Sequence, residues 1–297
     1  MPPVVAISGS SGLIGSALVK ALQDAGHRVH RLVRHPPAMK DDIQWTPSAR
    51  LLDERRLLDV DVVVNLAGET IGKRWTTARR RAIRESRVRA TDTISAAILR
   101  ARRPIALINA SAVGYYGSRG DLVLDENSAN GRGYLAEICR DWETAALAAR
   151  TAASRVVMMR SGVVLSNRGG ALPEMLRPFK LGVGGRIGDG RQWLSWIDLD
   201  DMVRAIQFII SQNQISGPVN VVSPNPVPNR EFTKTVSEVL KKPALFPVPA
   251  VALKMIFGEM AKETILGSQR ATPAVLAASG FTFNRPTLRE SLSAQGN

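Results

Sequence analysis

Residues 4–26, VVAISGSSGLIGSALVKALQDAG, constrain the fold more than any other stretch of this chain. VVAIS (4–8) is a short β-branched run. GSSGLIG (9–15) follows, and SALVKALQDAG reads as a helix ending at Gly26. HRVHRLV (27–33) is the next strand, so the order is strand, tight glycine turn, helix, strand. The glycine spacing is Gly9-x-x-Gly12-x-x-Gly15. Gly9 can take a backbone shape that a side chain would obstruct. Gly12 lets a ligand approach the backbone, and Gly15 lets the helix pack tightly on the sheet. Free N–H groups at the start of that helix then face negative charge. A plain tight turn in some other α/β protein is the competing reading.

The alternation continues through the first half. IQW (43–45) reads as a short third strand, and DVVVNLAG (61–68) as a buried one. A helix is expected over 76–100, with a strand in PIALINASAVGYYG (104–117) that ends just before Ser111. A further helix at 132–150 leads to RVVMMRSGVVLS (155–166). Continuous apolar runs of this kind belong to parallel strands covered on both faces. The expected fold is therefore α/β, a Rossmann-type doubly wound parallel sheet. Its ligand lies at the carboxyl ends of the strands. The candidate dinucleotide contacts are Gly9, Ser10, Ser11, Gly12, Leu13, Ile14 and Gly15 in the turn. Leu66, Ala67 and Gly68 would run over the ligand. Arg160 and Gly162 follow at the end of their strand, with a structural role as the alternative for Arg160. An NAD site usually places Asp or Glu at the end of the second strand. Here RLVR offers Arg31 and Arg34, with no acid until Asp41. Arginine matches a 2′-phosphate that a carboxylate would repel, which favours NADP(H) over NAD(H). Arg34 is the stronger candidate because it sits where the strand opens into the loop. The alternative is a solvated strand end.

The second half is less regular. Residues 166–194 hold seven glycines and read as a loop-rich substrate wall or lid. DLDDMVRAIQFII (198–210) has the acids of a capped helix start, with Asp198 as the cap. GPVNVVS is a late strand, and NREFTKTVSEVLKK a helix with Asn229 as its expected cap. The predicted organisation is a dinucleotide-binding region over 1–165. Residues 166–297 form a mixed region with late sheet strands and a small, mainly helical substrate subdomain.

Composition closes several other routes. One cysteine, Cys139, excludes an intrachain disulfide and a thiolate metal cluster within one chain. His27, His30 and His35 form no compact ligand set, and no metal is expected. No segment has the apolar length of a membrane helix. The chain enters its first strand almost at once, which makes the cytoplasm the expected compartment. The formal net charge is +14, and residues 73–89 carry eight basic side chains against one acid. No zinc finger, aromatic interleaving or basic tail accompanies that run, so a solvated helix face with arginines bent toward an anionic ligand is favoured over nucleic acid.

Together these residues resemble the extended short-chain dehydrogenase/reductase superfamily. More closely, the chain resembles its atypical branch of predicted NAD(P)-dependent nucleotide-sugar epimerases. The resemblance rests on SGSSGLIGSAL, NLAGETI with RW at 74–75, SRV at 86–88, SAVGYYG and WE at 142–143. It continues through RSGVVLS, GGALPEML, WIDLDD and EFTKTVSEVL, and so covers nearly the whole chain. It implies an oxidoreductase or epimerase acting on a small molecule, anionic or nucleotide-linked, and leaves a homodimer open. The superfamily uses a Ser, a Tyr and a Lys four residues after the Tyr. Free tyrosine, with a pKa of about 10, is too weak a base, and the lysine cation favours its phenolate.

Ser111 matches the serine. Counting from Tyr134, the lysine position holds Ile138. Aligning on Glu143 puts Leu135 and Cys139 at the two positions. Neither register supplies the pair. Tyr115 and Tyr116 follow Ser111 closely and are candidate proton donors, with Tyr116 preferred; Tyr134 remains a third, against a reading as helix-stripe packing. Either GYYG tyrosine reads equally as an aromatic wall. Candidate substrate contacts are Glu69, Arg74, Arg186, Arg191 and Trp193. A Glu69–Arg74 ion pair and plain loop packing are the alternatives. Cys139 has no nearby histidine to activate it, so a buried core cysteine is expected.

Overall fold

The computed structural model describes residues 2–295. Its first elements are β1 (Val5–Ser8), α1 (Leu13–Asp24), β2 (Val29–Val33), β3 (Asp42–Gln44) and β4 (Val62–Asn65). Next come α2 (Thr77–Arg100), β5 (Ala106–Ala112), β6 (Val123–Leu124), α3 (Tyr134–Leu147) and β7 (Val156–Ser161). The later chain adds β8 (Val163–Leu165), α4 (Leu172–Lys180), β9 (Trp193–Leu194), β10 (Trp196–Asp198), α5 (Leu199–Ser211) and β11 (Gly217–Val221). β12 (Val227–Pro228), α6 (Asn229–Leu240), α7 (Ala250–Phe257), α8 (Glu259–Glu263), β13 (Arg270–Ala271), α9 (Ala274–Ala278) and α10 (Leu288–Ala294) complete it.

Seven strands form one sheet in the order β11-β7-β5-β4-β1-β2-β3, and every pairing in it is parallel. The strand order reverses between β1 and β4, which opens a crevice at their carboxyl ends. Alternate residues serve opposite faces. Val5, Ile7, Val62, Val64 and Ile108 pack on one side with Leu18 and Leu22 of α1 and Ile206 and Ile209 of α5. Ala6, Val63, Leu107, Val156 and Met158 pack on the other with Ala90, Ile94 and Ile98 of α2. Burial on both faces is why these strands read as unbroken apolar runs.

Four local expectations need correction. Ser111 lies within β5, not beyond it. The run 155–166 breaks at Gly162: β7 stays in the main sheet, and β8 leaves to pair with β10. A Cβ on Gly162 would sit 2.5 Å from the Ser195 carbonyl oxygen, so only glycine permits that crossing. Residues 166–194 are not all loop, because α4 lies within them and buries Leu172, Leu176 and Phe179 against α6 and α10. Asn229 does not cap α6, since its Oδ1 accepts from the Ile187 N–H at 2.8 Å and Pro228 takes the cap position. Asp198 does cap α5, accepting from the Asp200 N–H at 2.9 Å.

Candidate functional site

The glycine turn has the geometry that its spacing demands. Gly9 adopts φ +66°, and a Cβ there would lie 2.8 Å from the Leu66 carbonyl oxygen. The turn therefore rests directly on the exit of β4. A Cβ on Gly15 would lie 2.1 Å from the Gly9 carbonyl oxygen, so α1 packs against the turn itself. Ser11 and Gly12 are exposed, while Ser10, Leu13 and Ile14 are half-buried. Gly12 is the N-cap of α1, and no side chain caps that helix. Its first-turn N–H groups are left for an anion.

A buried polar ladder ties the strand ends together beneath this turn. Ser8 Oγ donates to Asn65 Oδ1 at 2.6 Å and accepts from the N–H groups of Leu66 and Ala67 at 3.1 and 3.2 Å. Asn65 Nδ2 donates to Asn109 Oδ1 at 2.6 Å and Thr91 Oγ1 at 2.9 Å. Trp142 Nε1 also donates to Thr91 Oγ1, at 2.8 Å, which fixes α3 against α2. Satisfied networks of this kind hold one geometry because each unmade bond in a dry interior is costly. Leu66, Ala67 and Gly68 thus leave β4 along a defined path, and Glu69 N–H donates to Ser86 Oγ at 3.0 Å.

Arg31 in β2 and Arg34 just beyond it have different surroundings. Arg31 forms a two-pronged pair with Asp42, at 2.8 and 2.9 Å, and this holds the carboxyl below its ordinary range. Asp42 lies almost fully buried at the start of β3, beside β2 in the sheet. Arg31 is therefore engaged with Asp42 within the sheet. Arg34 is exposed just beyond β2 and makes no hydrogen bond or ion pair among the described residues.

Ser111 opens a second, sealed network. Its Oγ donates to Glu143 Oε1 at 2.7 Å. Arg160 donates to both Glu143 oxygens, at 2.9 and 2.8 Å, to the Tyr116 hydroxyl at 3.1 Å and to the Glu126 carbonyl at 3.2 Å. The Tyr116 hydroxyl donates in turn to Asn220 Oδ1 at 2.7 Å. Arg160 is 3% exposed and Tyr116 0%. Arg160, a candidate cofactor contact, and Tyr116, a candidate proton donor, thus both have their polar atoms engaged within the chain. Burial pushes the Tyr116 hydroxyl up to about 12, so its phenolate is scarcer near neutral pH than that of free tyrosine. Since the folded state holds this proton more tightly, its stabilising contribution is complete below pH 10 and is lost as pH rises through about 12. Urea unfolding between these limits should show wild type losing stability more steeply than Tyr116→Phe; parallel curves would refute the assignment.

Tyr134 is diverted as well. Its hydroxyl donates to the Arg80 carbonyl, its ring meets the Trp75 ring edge-on at 5.2 Å, and the Arg80 guanidinium lies 4.1 Å from its centre. Burial raises its pKa. These contacts pack α3 against α2 and the residues before it, and they engage the hydroxyl that an acid/base role would use. Glu263 accepts from the N–H groups of Tyr134 and Leu135 at 2.8 and 2.7 Å, so a C-terminal carboxylate closes the start of α3. Tyr115 remains. It is half-buried, its ring lies 3.5 Å from the Arg160 guanidinium, and its hydroxyl makes no hydrogen bond among the described residues. Cys139 is buried, and burial pushes its thiol up to about 12, the state of an inert core cysteine.

The substrate candidates are scattered. Glu69 pairs with Arg79 at 3.3 Å, not with Arg74, which is exposed. Arg186 and Arg191 are exposed on the loop before β9. Trp193 donates from Nε1 to Asp121 and lies under Arg270 at 4.1 Å. No hydrogen bond among the described residues joins these three to Ser111 or to the glycine turn. Trp196 is fully buried and cannot stack on a ligand. Five arginines of the basic run have carboxylate partners: Arg79, Arg80, Arg81, Arg84 and Arg89. The run is largely an ion-paired helix surface. Arg87, which the sequence offers within SRV and the basic run but does not single out as a site candidate, is turned inward beside Gly68. The signal was its spacing: Ile83, Arg87 and Thr91 recur every fourth residue, and Ile83 and Thr91 are fully buried.

A parallel sheet in dinucleotide-binding order, with a glycine turn at its switch point, defines a nucleotide-binding α/β protein. A description of the NAD dependent epimerase/dehydratase family matches residues 5–222, and a domain of unknown function, DUF1731, matches residues 248–295. The chain is 49% identical over 290 residues to epimerase family protein Mb2239 of Mycobacterium bovis, covering 97% of this chain and 96% of that protein. It is 31% identical to the human epimerase family protein SDR39U1, solved with NADPH, at a TM-score of 0.87 and 98% coverage of each chain. It is 38% identical, at a TM-score of 0.82, to a nucleoside-diphosphate sugar epimerase from Corynebacterium glutamicum, covering 99% of this chain and 59% of that one. The chain belongs to the NAD-dependent epimerase/dehydratase family. No helix among the described residues is long and apolar enough to cross a membrane.

Proposed function

We propose that this protein is an NADP(H)-dependent, epimerase-like oxidoreductase acting on an anionic, nucleotide-linked small molecule. Its acid/base site lacks the Tyr-x-x-x-Lys pair. One observation carries the cofactor preference: Arg34 stands exposed at the carboxyl end of β2, while the neighbouring acid Asp42 is neutralised by Arg31. The NADPH named with the human relative supports the same preference. The substrate class is supported by the sugar-nucleotide epimerase named for the Corynebacterium relative.

The turn 9–15 and the start of α1 would hold the pyrophosphate, with Leu66–Gly68 beside it. A bound nicotinamide supplies hydride transfer. Tyr115 is the tyrosine with an uncommitted hydroxyl and is the proposed proton donor or acceptor. Ser111 and Tyr116 position it from below, through Glu143 and Arg160. The sealing of Ser111 favours a second reading, an NADP(H)-binding sensor with weak or no turnover.

Parallel titrations of NADPH and NADH with wild type and Arg34→Ala test the cofactor reading. NADPH should bind more tightly than NADH, and the variant should lose about 10- to 100-fold for NADPH alone, the worth of a charge-assisted contact. Equal affinity for the two nucleotides in wild type would overturn the preference. A substrate screen with Tyr115→Phe as control then separates enzyme from sensor.

A further inference from the structure

Arg87 is the exception on α2. The arginines around it answer to carboxylates, whereas Arg87 has none within ion-pairing distance among the described residues. Its Nη1 donates to the Ile83 carbonyl of its own helix at 3.0 Å, and Nε and Nη2 make no hydrogen bond among the described residues. The guanidinium lies flat against the exit of β4: a Cβ on Gly68 would stand 3.3 Å from its Cζ and 3.4 Å from its Nη2. The Trp142 ring centre is 5.2 Å from its Cζ, with that ring held by Thr91. Tyr134, Cys139 and Glu69 complete the surroundings, and Glu69 is already paired with Arg79. Burial works against the charge, lowering the pKa of Arg87. A half-buried cation with no ion-paired carboxylate of its own, Glu69 acting on it only from a distance, is costly, and ligand oxygens would offset that cost.

The place of this cation in the crevice indicates the ligand. A dinucleotide anchored at Arg34 beyond β2, with its pyrophosphate at the β1–α1 turn, continues across β4 toward β5. Arg87 faces that far half, between the β4 exit and α3. We propose that Arg87 binds the second ribose-phosphate of the dinucleotide, donating from Nε and Nη2 to its oxygens. The cation missing from α3 is thereby supplied from α2. This rests on the dinucleotide reading above and assigns a binding role, not a proton-transfer step.

The test compares NADPH with 2′,5′-ADP, which has the phosphorylated adenosine half but no second ribose. Wild type, Arg87→Met and Arg87→Lys are titrated with both. Arg87→Met should weaken NADPH about tenfold or more and leave 2′,5′-ADP within about twofold of wild type, as expected for a charged hydrogen-bonding group. Arg87→Lys should recover much of the loss, which also answers for folding. Unchanged NADPH affinity in Arg87→Met would overturn the proposal, as would an equal loss for both ligands. Wild type binding neither would overturn the dinucleotide reading and the proposal with it.

Discussion

Arg160→Met should cost about 3–5 kcal/mol of folding stability, the range for leaving a buried charge without its partner. Arg160 and Glu143 are 3% and 5% exposed, and their ion pair is two-pronged. Without Arg160, Glu143 keeps the Ser111 hydroxyl as its one side-chain donor among the described residues. The Tyr116 hydroxyl and the Glu126 carbonyl each lose a donor at the same time. Removing both charges is a different experiment. Arg160→Met combined with Glu143→Leu should recover a good part of the loss, because apolar replacement of a whole buried pair is often neutral. Urea unfolding of wild type, the single variant and the double variant measures all three. A single-variant loss below about 1 kcal/mol would show that water reaches the pair and that the interior assignment is mistaken.

Gly15→Ala should destabilise the fold by about 1–3 kcal/mol, the usual cost of overpacking, and weaken NADPH binding by more than tenfold. The added methyl would stand 2.1 Å from the Gly9 carbonyl oxygen and 2.9 Å from the Ser10 Cα. Both are backbone atoms, so the turn itself must move, and the first-turn N–H groups of α1 move with it. Gly26→Ala is the control. Its φ of +80° carries a backbone penalty of about 1–2 kcal/mol, but no atom lies within 4 Å of the added group. It should lower stability and leave NADPH binding unchanged. Thermal unfolding and nucleotide titration of both variants decide the matter. Equal NADPH binding by Gly15→Ala and wild type would remove the turn from the site.

The parts of the site legible in the sequence are those written in local backbone chemistry. Gly9, Gly12 and Gly15 lie within seven consecutive residues, and their steric reasons act over the same span. Arg34 could be placed because a strand end is defined by the strand before it. Asp198 could be placed as a cap because the N–H it accepts is two residues away. Tyr116 and Tyr134 could not be judged in this way. Tyr116 is anchored by Asn220 and Arg160, at separations of 104 and 44 residues, and Tyr134 by a carbonyl 54 residues away. Nothing near either tyrosine announces that its hydroxyl is taken.

By itself the sequence determined the parallel α/β sheet, its two covered faces, the glycine turn and the absence of a Tyr-x-x-x-Lys pair. All of these depend on residue type at fixed short spacing. Only the tertiary structure decided which polar groups find partners within the chain. It spent Ser111, Tyr116, Arg160 and Arg31 on interior partners and left Arg34, Tyr115 and Arg87 with donors to offer. The physical reason is that a hydrogen bond or ion pair is settled by which elements pack together. α2, α3 and the ends of β4, β5 and β7 meet across the sheet, far apart along the chain.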